Sequence, residues 1–216
     1  MSQHTLRLLR FTYKKLKEKL TVSDSKKLFH EQFPYVIPGL YKRIVDEMLV
    51  ELNLLNHQNE FNQDELFCVG LKETFNELTK GYNPPEHLAP LFDSLCQSTN
   101  FEPLKIKDIS KTTLEKFQNK SLKEISKLFS GSTKSNLYAS RILNLGIYII
   151  ISKANDFNEN KDSDINNIIS EIINSLNLSI NKAEKDIGLY KSSIVKLKQA
   201  KELIEETKIK DKKKSL

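Results

Sequence analysis

Residues 142–151, ILNLGIYIII, form the longest apolar stretch of the chain. Aliphatic side chains occupy all but three of these positions, so they cover every side of a helix rather than one face. A helix that is apolar all round is buried on all sides, and we therefore predict that residues 136–154 form the central helix of a domain. The stretch is too short to cross a bilayer, because a membrane-spanning helix needs about 20 apolar residues.

Further helical patterns precede this central helix. Apolar residues recur at helical spacing in six segments, residues 23–33, 38–55, 62–81, 88–95, 103–117 and 121–129. Ser23 is the predicted N-cap of the first segment, and either Asn62 or Asp64 caps the third. With only 6 Gly and 6 Pro in 216 residues, turn-forming residues are too rare for a many-stranded β fold. The sequence therefore predicts an all-α protein with a compact multi-helix bundle at residues 21–154.

The C-terminal third has a different repeat. Apolar residues there alternate between spacings of four and three over five heptads, as in a coiled coil. We predict a long amphipathic, coiled-coil-type helix at residues 165–207, after an acidic linker at residues 155–164. The apolar positions of this repeat form a predicted seam for a partner helix, which Lys201 interrupts once. The seam consists of Ile169, Ile173, Leu176, Ile180, Ala183, Ile187, Tyr190, Ile194, Leu197 and Ile204. The alternative is an ordinary long helix that folds back onto the body, since Gly188 and an Asn cluster weaken the repeat.

Both ends of the chain are basic, although its net charge is only +6. Residues 1–22 carry six basic side chains and one acidic, residues 181–216 carry eleven and six, and the body between them is mildly acidic. The N-terminal extension at residues 1–20 has the spacing of a basic amphipathic helix, and a transit peptide, a membrane-surface helix and a frayed extension all fit it. The tail at residues 208–216 is Lys-rich. Basic ends either stay solvated or contact anionic lipid, nucleic acid or an acidic protein.

The sequence holds no pattern of catalytic or metal-binding residues. The four His residues lie in different segments without metal-ligand spacing, and the isolated glycines form neither a phosphate-binding loop nor a nucleophile elbow. Asp46, Glu47 and Glu51 lie close together on one predicted helix, but the Glu-x-x-His partner of a di-metal bundle is absent. They are predicted to be surface acids. We therefore predict no enzyme activity, no metal, no cofactor and no small-molecule substrate.

Particular residues also argue against a disulfide and against nucleic-acid binding. Cys68 and Cys96, the only cysteines, fall on apolar helix faces, which favours two buried thiols over a disulfide. Nucleic-acid binding is predicted to be absent, because acidic residues balance many lysines of the C-terminal helix and Tyr190 is its only aromatic residue.

Several segments in order resemble the thylakoid formation protein family, also called photosystem II biogenesis proteins, of cyanobacteria and chloroplasts. The resemblance rests on residues 21–29 (TVSDSKKLF), 41–55 (YKRIVDEMLVELNLL), 67–71 before Phe75, 81–84 (GYNP), 91–96, 140–148 and 189–192 (LYKS). It covers residues 21–97 well, 135–152 fairly and 185–206 loosely, and residues 1–20 lie outside the pattern. None of these segments is catalytic.

The resemblance implies a non-catalytic accessory protein of thylakoid membrane biogenesis and photosystem II assembly or repair. It further implies an FtsH-type thylakoid protease or photosystem II assembly components as partners. The implied location is the cytoplasmic side of a cyanobacterial thylakoid membrane, where the protein is peripheral or soluble. The competing hypothesis is a membrane-surface helical scaffold whose basic ends bind anionic lipid.

Overall fold

Nine α-helices and no β-strand occur in the residues that the structure, a computed structural model, describes, namely 19–130, 137–158 and 162–214. Residues 162–164 and 208–214 are described as backbone only, and most of the predicted N-terminal extension lies outside the described residues. The helices are α1 Val22–Gln32, α2 Gly39–Asn56, α3 Glu65–Leu78, α4 Leu88–Gln97, α5 Pro103–Phe117, α6 Leu122–Ser130, α7 Arg141–Ser152, α8 Asp162–Ser175 and α9 Ile180–Lys214. The all-α prediction is confirmed.

Side-chain caps set the starts of several helices. Thr21 caps α1, because its hydroxyl accepts from the backbone N–H of Asp24 while the Asp24 carboxylate accepts from the N–H of Thr21, each at 3.1 Å. The predicted cap at Ser23 is therefore wrong, since only Thr21 has an acidic residue three positions later. Asp64 caps α3 by accepting from the N–H groups of Leu66 and Phe67. Asn62 is thus not the cap of that helix.

The central helix of the fold is α7, as predicted. All ten residues at 142–151 are buried. The helix is shorter than the predicted range 136–154, because Ser140 caps it by accepting from the N–H of Leu143 at 3.1 Å. In the part of the chain that the structure describes, no helix has both the length and the apolarity that crossing a membrane requires.

The α7 helix packs most closely on α3, where two glycines bring the backbones together. A Cβ atom added to Gly70 would lie 1.9 Å from the carbonyl oxygen of Ile142, and one added to Gly146 would lie 1.9 Å from that of Leu66. Only glycine leaves room for such an approach. The α3–α7 crossing therefore depends on the absence of two side chains.

The C-terminal region differs from the single helix predicted at residues 165–207. It forms α8 and α9, separated by a turn in which Asn177 adopts a left-handed conformation with φ of 55°. The N–H of Leu178 donates to the carbonyl oxygen of Ile173 at 3.0 Å, the bond that closes a Schellman-type helix end. Asn tolerates this conformation better than other non-glycine residues, so Asn177 ends α8.

The limits of this region also shift. The α8 helix begins at Asp162, inside the predicted linker at residues 155–164, and the α9 helix continues past residue 207 to Lys214. One cluster of buried side chains extends from Phe29 to Leu197, so both C-terminal helices share the core of the body. The division of the chain into a body domain and a separate helix stays a prediction.

Candidate functional site

The seam predicted for a partner helix lies mostly against the body of the protein. Buried seam residues are Ile169, Ile173, Leu176, Ala183, Ile187, Tyr190 and Leu197, and Ile180 and Ile194 are partly buried against the same core. Ile204 is 43% exposed. Up to Leu197 the heptad spacing therefore describes packing within the chain, which is the alternative that the sequence left open. A role of these residues toward a partner helix stays a prediction.

The seam interruption at Lys201 has a structural reason. Its ammonium group donates to the carbonyl oxygen of Lys80, beyond the C-terminal end of α3, and lies 5.8 Å from the centre of the Tyr41 ring. The Tyr41 hydroxyl donates to the same carbonyl at 3.1 Å. A lysine at a seam position thus fastens α9 to the end of α3 by a polar contact.

A buried amide–carboxylate contact joins α9 to the central helix. The Asn144 amide nitrogen donates to an Asp186 oxygen at 2.8 Å, and both residues are buried. This contact explains why Asn144 interrupts the apolar run of α7, since a buried carboxylate needs a donor. The Asn144 amide oxygen has no hydrogen-bond partner in the described residues.

An ion pair ties α2 to the start of α7 beside this contact. Arg141 donates to one Glu51 oxygen through Nε at 2.9 Å and also through Nη2. Burial alone would lower the pKa of Arg141, but the nearby carboxylates of Glu51, Glu47 and Asp186 outweigh it and raise that pKa. This ion pair was not predicted from the sequence, where Arg141 was noted only as part of the family-like segment at residues 140–148.

An open cleft of about 630 Å³ lies along the same edge, between α2, residues 138–141 and Lys182. Its acidic residues are already paired; Asp46 and Glu47 are surface acids, as predicted, but Glu51, with its side chain 18% exposed, is not. Asp46 lies 3.6 Å from Lys26, and Glu47 accepts from Arg43 at 2.7 Å. No group of three or more His, Cys, Asp or Glu residues among those described is arranged to hold a metal ion.

The α9 helix also presents apolar side chains to solvent. Leu189 is 52% exposed, Val195 54% and Leu203 64%. No residue after Leu197 is buried, up to residue 207 where the described side chains end. We call residues 202–214 the distal segment, and at 1.5 Å per residue it extends about 20 Å past the Lys201 contact. The described side chains of this segment, at residues 202–207, are exposed, and an exposed helix can bind a partner through its side chains.

The two cysteines and two of the histidines contact other residues of the fold. Cys68 and Cys96 are both free and buried, as predicted, and burial raises the pKa of the Cys68 thiol to about 12. A thiol with a raised pKa stays protonated and unreactive at neutral pH. His57 shares a hydrogen bond of 2.8 Å with the carbonyl of Leu20, and the His87 ring stacks on Tyr35 at 3.9 Å.

Comparison with known proteins identifies several similar chains. A family model described as thylakoid formation protein matches residues 21–216. The chain is 75% identical over 198 residues to Protein Thf1 of Prochlorococcus marinus subsp. pastoris (strain CCMP1986 / NIES-2087 / MED4), covering 92% of this chain and 98% of that relative. It is 69% identical over 201 residues to Protein Thf1 of Prochlorococcus marinus strain MIT 9312, covering 93% and 100%. A solved structure of Psb29 matches with a TM-score of 0.81 at 25% identity, covering 90% of this chain and 98% of that one.

Proposed function

The chain belongs to the thylakoid formation protein family, and from this premise we propose that it is a non-catalytic accessory protein that binds and supports an FtsH-type membrane protease. Photosystem II assembly and repair are the processes that it serves, and photosystem II assembly components are the other partners proposed. It acts at the cytoplasmic side of the thylakoid membrane as a peripheral or soluble protein.

One observation carries this proposal. The α9 helix leaves the core after Leu197, yet it continues to Lys214 with Leu203 64% and Ile204 43% exposed. Packing within the chain explains the buried seam residues but not these two. Because neighbouring helical positions lie about 100° apart, the two side chains form a broad apolar edge. Such an edge on an exposed helix can enter a hydrophobic groove of a partner. The distal segment is therefore the proposed contact with the protease.

The test is a pull-down from solubilised cyanobacterial thylakoid membranes with the tagged full-length chain as bait. We expect the wild-type chain to recover FtsH subunits and Leu203→Glu to lose most of them, since a charge at a desolvated contact opposes binding. Leu104→Glu is the matched control, because Leu104 on α5 is 77% exposed and receives the same change. It should recover FtsH like the wild type.

Two results would contradict the proposal. If the wild-type chain recovers no FtsH subunit and a deletion strain repairs photosystem II normally, the protease role is wrong. If Leu203→Glu and Leu104→Glu recover FtsH equally well, the partner binds elsewhere than at the distal segment.

The charge distribution favours a second candidate function, a scaffold held on anionic lipid by its two basic ends. Each Lys or Arg near an anionic surface contributes about 1 kcal/mol to such binding. Flotation with phosphatidylglycerol vesicles separates the two candidates. If the basic ends bind lipid, a chain lacking residues 1–20 and 208–216 should not float with the vesicles. Unchanged flotation of this truncated chain would contradict the lipid hypothesis.

A further inference from the structure

A second cleft, which no residue of α9 lines, is lined by several lysine side chains. It has a volume of about 460 Å³ and lies between α3, α5 and the residues that follow α7. Its charged lining comprises four lysines and two glutamates, Lys72, Lys107, Lys111, Lys153, Glu73 and Glu115. The cleft is therefore net positive, within a body that is mildly acidic as a whole.

Two of these lysines contact the same aromatic ring. The Lys72 ammonium lies 4.7 Å from the centre of the Phe92 ring, and the Lys107 ammonium lies 5.6 Å from it. Burial, followed by the charge of Lys107, lowers the pKa of Lys72, although the charges of Glu73 and Asp93 act in the opposite direction. Both cations keep favourable contact with the ring, and a bound anion would offset the repulsion between them.

Two carboxylates near the cleft each pair with one lysine. Asp93, which is not part of the lining, contacts Lys107, and Glu73 lies 3.5 Å from Lys153. Glu115, the third, has no described cation within ion-pair distance. The Lys72 ammonium donates to the neutral amide oxygen of Asn76 at 2.7 Å instead. Among the described residues, neither Lys72 nor Lys111 has a carboxylate within ion-pair distance. Two cations at one cleft therefore lack a carboxylate in direct contact, although the charges of Glu73 and Asp93 still act on Lys72 from a distance.

We propose that this cleft binds a phosphate group, either of a phospholipid headgroup or of a soluble phosphate compound. A phosphate has several oxygens that accept from Lys72, Lys107 and Lys111 at the same time, and lysine binds phosphate as a compact charge. The cleft volume suits a small molecule, because ligand sites commonly measure about 300–1,000 Å³. Ser110, Gln118 and Asn119 add polar groups to the lining for the rest of the ligand.

The test uses inorganic pyrophosphate as the probe and amide NMR spectra of the full-length chain as the readout. We expect saturable shifts confined to the amides around residues 72, 107–119 and 153–155. Lys111→Glu should weaken binding about tenfold or more, since a hydrogen bond to a charged group is lost and a like charge is added. Lys111 is exposed, so the variant keeps the fold.

Lys105→Glu is the matched control. Lys105 is exposed on the same helix and receives the same charge change, but it does not line the cleft. Its pyrophosphate affinity should stay within about twofold of the wild type at the same ionic strength, because exposed charges outside a site act weakly through salt. Shifts that fail to saturate, or equal losses in Lys105→Glu and Lys111→Glu, would overturn the proposal.

Vesicles distinguish the two sources of the phosphate. If equal mixtures of phosphatidylglycerol and phosphatidylcholine displace pyrophosphate and float the wild type and Lys105→Glu but not Lys111→Glu, the ligand is a lipid headgroup. If the vesicles do neither while pyrophosphate binds the cleft, the ligand is a soluble phosphate compound. Either result supports a phosphate site, whereas absence of pyrophosphate binding to the wild-type chain refutes it.

Discussion

The α3–α7 crossing and the docking of α9 hold the same central helix in two different ways. At the crossing, the positions of Gly70 and Gly146 bring backbone directly against backbone. On its other side, α7 meets α9 through side chains, including the Asn144–Asp186 contact. A backbone contact has no rotamer with which to adjust, whereas side chains can repack. The crossing therefore admits no added atom unless a helix moves, whereas the docking of α9 rests on contacts that side chains can adjust.

The largest effect is expected from closing the space at the crossing. Gly146→Ala places a Cβ atom 1.9 Å from the Leu66 carbonyl oxygen, so the two helices must separate. We expect the free energy of unfolding, measured by urea titration, to fall by about 3 kcal/mol. Gly188→Ala is the control on α9, because nothing lies within 4 Å of its added Cβ atom.

That control should change stability in the opposite direction. Alanine is favoured over glycine inside a helix by about 1 kcal/mol, so Gly188→Ala should raise the free energy of unfolding by up to that amount. If both substitutions destabilise the protein equally, the difference between a backbone contact and a side-chain contact does not govern its stability.

A smaller effect is expected from the polar contact between α7 and α9. Asp186→Ala leaves the buried Asn144 amide nitrogen without a partner, which should lower the free energy of unfolding by about 2 kcal/mol in the same titration. Glu184→Ala on the exposed side of α9 should change it little. Asp186→Asn should recover part of the loss, since its side-chain oxygen still accepts from Asn144. If Asp186→Asn is as unstable as Asp186→Ala, the effect comes from packing and not from the hydrogen bond to Asn144.

The smallest effect is expected at the last contact of α9 with the body. Lys201→Met keeps the side-chain stem but removes the donor to the Lys80 carbonyl, so global stability should fall by no more than about 0.5 kcal/mol. Amide hydrogen exchange at residues 198–207 should nevertheless become faster than in the wild type. Lys198→Met, an exposed neighbour, is the control, and equal exchange in both variants would argue against a fastening role of Lys201.

Most of the helical architecture was predictable from local patterns. Apolar periodicity located the body helices, and the all-round apolarity of residues 142–151 identified the central one, because burial on every side leaves no polar face. The ends of the helices were predicted less accurately. Ser23 and Thr21 are both acceptable caps, and only the reciprocal bond to Asp24 selects Thr21. The Asn cluster at residues 174–181 did indicate a weak point, and the helix breaks there.

The candidate site was predictable only in part. The ten seam residues were correctly found to be apolar and on one face, but nine of them meet the protein's own core and only Ile204 is exposed. The cleft lined by lysines was not predicted from the sequence. Lys72, Lys107 and Lys153 lie far apart in the chain and come together only through the packing of α3, α5 and α7. The Arg141–Glu51 pair is likewise separated by 90 positions.

The sequence by itself determined most of the helices, the family and the absence of local catalytic motifs, because periodicity and motifs are properties of neighbouring residues. Only the tertiary structure decided what covers each apolar face. A heptad pattern states that a helix buries one side, but it does not state whether the cover is another molecule or the same chain. That choice depends on where the turn at Asn177 directs α9, and here it directs the helix onto α7, with residues 202–207 outside the buried core.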